Sequence, residues 1–110
     1  MITVLVVSEA IRSGELDRAG ARMPSLEVLH AHDLEQALDR LARNRRIDAV
    51  LLLLDSDRTR EVAQTILEED PAAPPLFAPA VTAGKDAHPL EGQAPEDLLR
   101  AIVRELSASG

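Results

Sequence analysis

A chain of 110 residues, 45% of them hydrophobic, is enough for one domain with a real core. Its formal net charge of -7, with one Phe and no Trp or Tyr, argues against nucleic-acid binding through a basic face or a base-stacking platform. No apolar run approaches the roughly 18 residues of a membrane span, no signal-peptide pattern opens the chain, and the lack of cysteine removes disulfides, thiolate metal sites and cysteine nucleophiles, so a cytoplasmic setting is expected.

Residues 2–7, ITVLVV, predict a strand buried on both faces, as in parallel sheets. Residues 9–23 carry apolar side chains at Ile11, Leu16 and Ala19; Gly14 weakens the pattern, and an irregular helix capped by Ser8 is expected. Residues 25–31, SLEVLHA, predict a second strand with Leu26, Val28 and His30 alternating. Asp33 then suits an N-cap, with Gln36 at the capping-box position. The helix over residues 34–46 carries Leu34, Ala37, Leu38 and Leu41 on one face. Its end is rich in arginine (Arg40, Arg43, Arg45, Arg46), as the helix dipole favours.

Residues 47–55, IDAVLLLLD, form the most apolar strand and should sit at the centre of the sheet. A third helix over residues 56–71 turns Val62, Ile66 and Leu67 inward and stops at Asp70-Pro71. Residues 74–81, PPLFAPAV, predict a fourth strand, kept short or at an edge by Pro79. Residues 81–94 contain Gly84, Pro89 and Gly92 and have no clean periodicity. A last helix over residues 94–106 has Pro95 in its first turn, Glu96 and Asp97 at its positive end, and an apolar stripe of Leu98, Leu99, Ile102, Val103 and Leu106. The domain is expected over residues 1–106, with residues 107–110 a frayed end or the start of a linker.

Alternating strands and helices imply a doubly wound, flavodoxin-like α/β fold with right-handed crossovers. The expected strand order is 2-1-3-4, followed by a short fifth strand. In such sheets ligands bind at the carboxyl ends of the strands, near the switch in strand order. That edge gathers Ser8, Glu9 and Asp55, with residues 80–82 nearby.

These stretches resemble a family. VLVVSEA (residues 4–10), AHDLEQALDRL (31–41), IDAVLLLLD (47–55), PPLFAPAV (74–81) and PEDLLRAIVREL (95–106) are similar to the corresponding elements of bacterial response-regulator receiver domains. The resemblance spans nearly the whole chain apart from residues 81–94. It implies a fold that takes a phosphoryl group from a histidine kinase onto an aspartate at the end of strand three. Two acids after strand one would help hold magnesium; a Ser or Thr after strand four and a Lys before the last helix would contact the phosphoryl oxygens.

Carried over residue by residue, the acid pair falls on Ser8 and Glu9. Five residues beyond Asp48, the acceptor place falls on Leu53, and Asp55 comes about 6.6 Å further along an extended strand. The Ser/Thr place falls on Ala80, with Thr82 close by; the Lys place falls on Glu91, the following proline on Gly92, and the aromatic place of strand five on His88. Glu91 in place of lysine turns attraction to phosphate into repulsion, on the order of 1 kcal/mol per charge at 4 Å even in water. The family's fourth helix is shortened or missing, which leaves an apolar groove or a homodimer contact open.

The resemblance thus implies a degenerate, or pseudo-, receiver: a non-enzymatic, phosphorylation-independent protein-interaction module in bacterial signalling or localisation. It would need no cofactor and would act with a protein partner or a fused output domain. One alternative is a working receiver with Asp55 as acceptor, Glu9 and Asp55 then holding magnesium. Another is a small-ligand sensor at the strand-end cleft.

Plainer roles stand beside each of these. Asp55 and Asp57 suit caps of the helix that follows, and for Asp55 the sequence favours that role. Glu9 suits an exposed carboxylate near a helix start. His30-x-His32-Asp33 is weak metal-ligand spacing. Ser8 lacks a nucleophile-elbow motif, and no Gly-rich phosphate loop exists. The four arginines suit a solvated helix end, or in the sharper reading a docking patch for an acidic partner. Glu68, Glu69 and Asp70 suit another solvated end.

Overall fold

A computed structural model describes residues 2–8, 23, 25–44, 46–92 and 94–109. Five parallel strands form one sheet in the order β2-β1-β3-β4-β5: β1 (Ile2–Ser8), β2 (Leu26–Ala31), β3 (Ala49–Leu53), β4 (Leu76–Pro79) and β5 (His88–Leu90). The described helices are α1 (Leu34–Arg43), α2 (Ser56–Glu69) and α3 (Pro95–Ser109). This is the doubly wound, flavodoxin-like fold, with no helix between β4 and β5.

Why β1 and β3 are so apolar follows from their neighbours. Leu5, Val7, Val50 and Leu52 pack with Ala37 and Leu41 of α1 and with Val62, Ala63 and Ile66 of α2. The alternate residues Val4, Val6, Ala49, Leu51 and Leu53 pack with Leu98, Leu99 and Ile102 of α3. Both pleat faces are covered, so the period-two alternation of a half-exposed strand disappears from the sequence. Asp48, just before β3, secures the start of the pair: its carboxylate accepts from the Thr3 backbone N–H at 2.8 Å, and its own N–H donates to the Thr3 carbonyl at 2.8 Å.

The helix starts are written in short polar residues. Asp33 caps α1, accepting from the Gln36 N–H at 2.8 Å, while the Gln36 side chain reaches back to the His32 N–H at 2.9 Å. That return bond lands one residue before its usual place in a capping box. Helix α1 ends at Arg43, three residues earlier than its arginine-rich pattern suggests. Asn44 stops it, its side chain accepting from the Arg46 N–H. Helix α2 buries Thr59, Val62, Ala63 and Ile66, whereas Leu67, expected to face inward, is 40% exposed. At its close Asp70 accepts from the Ala72 N–H at 3.2 Å, a turn that ends the helix before Pro71 can clash.

Strand β3 is shorter than residues 47–55, and β4 is shorter than residues 74–81. Pro79 closes β4 instead of interrupting it, and β4 is not an edge, because β5 pairs beside it. Between them, Ala83 and Ala87 turn inward and close the flank of the core next to β4. Helix α3 runs on to Ser109, through residues expected to fray. The expected first helix, residues 9–23, lies almost wholly outside the described residues.

Candidate functional site

The parallel register sets the site. Ser8 and Leu53 are partners at the last rung of β1 and β3, so the two strands end level at the carboxyl edge. Ser8 is fully buried, and among the described residues its hydroxyl finds no hydrogen-bond partner. Its carbonyl lies 3.3 Å from Nδ1 of His32, which ties the end of β1 to the loop after β2. Leu53 is 6% exposed and belongs to the apolar cluster under α3. The place counted five residues beyond Asp48 is therefore filled by a packed leucine.

Asp55 is not on the strand. The chain leaves β3 after Leu53, Leu54 turns into the opposite core, and Asp55 becomes the exposed N-cap of α2. Its Oδ1 accepts from the Arg58 N–H at 2.8 Å. The stride of two strand residues expected between Leu53 and Asp55 thus does not apply. The Thr59 hydroxyl, fully buried, donates to the Leu54 carbonyl at 3.1 Å and holds this turn closed. Replacing Asp55 by alanine is expected to cost about 1 kcal/mol, and by asparagine much less, because asparagine also caps. Urea unfolding of the two variants checks this; equal losses would mean that the carboxylate charge matters and the cap does not.

Across the edge, the Ala80 N–H continues the β4–β5 ladder to the Leu90 carbonyl at 2.9 Å. Thr82 folds back on Pro79, its N–H and its hydroxyl both donating to the Pro79 carbonyl, at 2.9 and 3.2 Å. Thr82 is thus committed to its own turn. Glu91 follows β5 directly, in the place counted for a lysine, and is exposed. Gly92 holds φ 112°, and a Cβ there would lie 3.0 Å from that of Asp97. The position therefore calls for glycine where the family pattern has proline. His88, on β5, stacks obliquely beside Phe77 of β4, ring centres 5.4 Å apart.

These pieces enclose one cleft of about 610 Å³ at the carboxyl edge. It brings together Leu53, Ala80, Thr82 and Glu91, and also Asp55, which the counting put beyond the pocket; Ser8, buried, is the strand partner of Leu53. Sequence reasoning placed residues 80–82 near this edge but read Val81 as the end of a strand; it lies past β4 and is 85% exposed on the cleft wall. A proline followed within three residues by a threonine that can bond back is the turn signal that could have found it.

Glu9, the one acid at the two positions of the expected pair, lies outside the described residues, as does Arg45. Among the described residues, no three His, Asp or Glu side chains converge as a metal site. Magnesium needs near-octahedral oxygen ligands; the described side-chain oxygens of this edge are the Asp55 and Glu91 carboxylates and the Ser8 and Thr82 hydroxyls, with Oδ1 of Asp55 and the Thr82 hydroxyl already engaged in their own turns. His30 and His32 sit at the end of β2 and in the loop beyond, away from any such cluster. Of the arginines near the end of α1, Arg43 pairs with Asp39 at 2.9 Å in an exposed bridge, while Arg40 and Arg46 are exposed. No described helix is long and apolar enough to cross a membrane.

No protein-family model matches the chain, and no curated protein matches it. Its fold is similar to that of a LuxR family DNA-binding response regulator from Silicibacter pomeroyi (21% identity, 98% of this chain and 92% of that one, TM-score 0.68). It is also similar to a chain from the complex of the phosphorylated P1 domain of CheA3 with CheY6 of R. sphaeroides (18% identity, 96% and 97%, TM-score 0.67). A de novo designed Rossmann 2x3 protein shares the fold as well (16% identity, 99% and 91%, TM-score 0.62). A designed scaffold shares it too, so the likeness is one of architecture.

Proposed function

We propose that the chain is a receiver-type signalling module that acts through protein contact without taking a phosphoryl group. The fold likeness to response regulators supports the receiver part. One observation carries the rest: Leu53, packed under α3, fills the acceptor place. Ala80 and Glu91 agree with it, since neither offers a phosphoryl oxygen the donor or the positive charge that transfer needs. Such a module binds a protein partner or a fused output domain in the cytoplasm, and it requires no cofactor.

A second reading is a working receiver that uses Asp55 with magnesium. The response-regulator likeness favours it, and so does the place of Asp55 on the cleft wall. The residues favour the first reading; the kinship of fold favours the second. Incubation with acetyl phosphate and magnesium, followed by intact-mass measurement, separates them. The first predicts an unchanged mass. The second predicts the added mass of one phosphoryl group, lost in Asp55→Asn.

A further inference from the structure

We propose that the strand-end cleft receives a basic side chain, lysine or arginine, from an exposed segment of a partner protein; the inference rests on the chain being an interaction module. The cleft has an apolar floor of Leu53, Leu54, Pro79 and Leu90 and two carboxylates, Asp55 and Glu91, on its walls. Among the described residues, no cationic one lines it. The methylene stem of a lysine or arginine fits such a floor, with its charged head among carboxylates.

Other occupants fit worse. A phosphate or an acidic peptide would meet two negative charges and, among the described residues, no cation. A wholly apolar side chain would strip water from Glu91 and return no hydrogen bond. A second copy would bring a charge of -7 against -7. A basic segment is drawn by that same net charge. Oδ1 of Asp55 holds the Arg58 N–H, so Oδ2 is the oxygen left for an incoming donor. Val81, 85% exposed beside it, offers apolar cover to the residue next to the basic one.

The test is a titration of the isotope-labelled chain at low salt with two short acetylated alanine peptides, one carrying a central arginine and the other a central glutamate. The arginine peptide is expected to shift the amides of Asp55, Ala80, Val81 and Glu91, and the glutamate peptide to leave them in place. Glu91→Lys should weaken binding at least about tenfold, as loss of a charge-assisted contact would. Asp57→Asn, which removes a nearby exposed charge that does not line the cleft, should not change it. Equal shifts with both peptides would overturn the basic occupant and leave the interaction module standing. No shift with the arginine peptide, or unchanged binding in Glu91→Lys, would also overturn it. So would the same shifts from magnesium chloride alone or, without peptide, from raised protein concentration, which would assign the cleft to an ion or to a second copy. The interaction-module reading itself fails separately, by phosphorylation on Asp55.

Discussion

A Leu53→Asp variant, which puts an acid back into the acceptor place, is expected to be less stable than the parent by about 3 kcal/mol and to remain unphosphorylated. Leu53 is 6% exposed and packs with Leu51, Phe77 and Leu98. A carboxylate there loses most of its water. It gains the buried Ser8 hydroxyl as a neighbour but, among the described residues, no cation, and it shares the cleft with Glu91. Adding Glu91→Lys to Leu53→Asp should return about 1 kcal/mol, because attraction then replaces repulsion across the cleft. Glu91→Lys alone is exposed and should shift stability by less than about 0.5 kcal/mol. Urea midpoints of the four proteins give the coupling directly. A Leu53→Asp protein as stable as its parent would show that position 53 is solvated, and the packing argument would fail.

Leu51→Ala should be the more damaging core change, at about 4 kcal/mol, lowering the melting temperature by on the order of 15 °C. Leu51 is fully buried, paired in register with Val6 on one side and Phe77 on the other. Both neighbours are fixed by strand pairing, so the space left by a lost isobutyl group cannot collapse. Removing the side chain therefore costs the cavity as well as the transfer free energy. Leu67→Ala is the control: that leucine stands 40% exposed on α2, and its loss should stay within about 0.5 kcal/mol. Calorimetry of the two variants decides the point. Equal losses would mean that α2 is rotated from the position described.

Part of this was legible in the chain. The unbroken aliphatic runs of β1 and β3 announce strands covered on both faces, and the order of the sheet follows from the alternation of elements. Asp33 was readable as a cap because its carboxylate precedes an apolar stripe by one residue. The resemblance to receiver domains, counted five residues on from Asp48, led to Leu53, which stands at the last rung of β3 opposite Ser8. Asp55 was readable as a cap, but its place on the cleft wall was not, because it depends on where β3 gives way to the turn.

Other parts were hidden for physical reasons. A short fifth strand was expected, but its bounds were not readable: it has three residues, too few to show a period, and Pro89 argues against a strand there. Ala83 and Ala87 are buried, yet an alanine reads the same inside and outside. Thr59 takes the inward position beside Val62 and Ile66, while Leu67 falls off the stripe; hydrophobicity alone ranks those two the wrong way round. The hydroxyl of Thr59 is satisfied by the Leu54 carbonyl, a contact that exists only once the turn has formed.

We propose that this flavodoxin-like fold does not accept a phosphoryl group. Beryllofluoride with magnesium, a stable mimic of the phosphorylated aspartate, tests it most directly when the labelled chain is followed by its amide signals. The amides of Ser8, Leu53, Asp55 and Ala80 are expected to stay where magnesium alone leaves them. Saturable shifts at those four residues, abolished in Asp55→Asn, would contradict the claim and make Asp55 the acceptor.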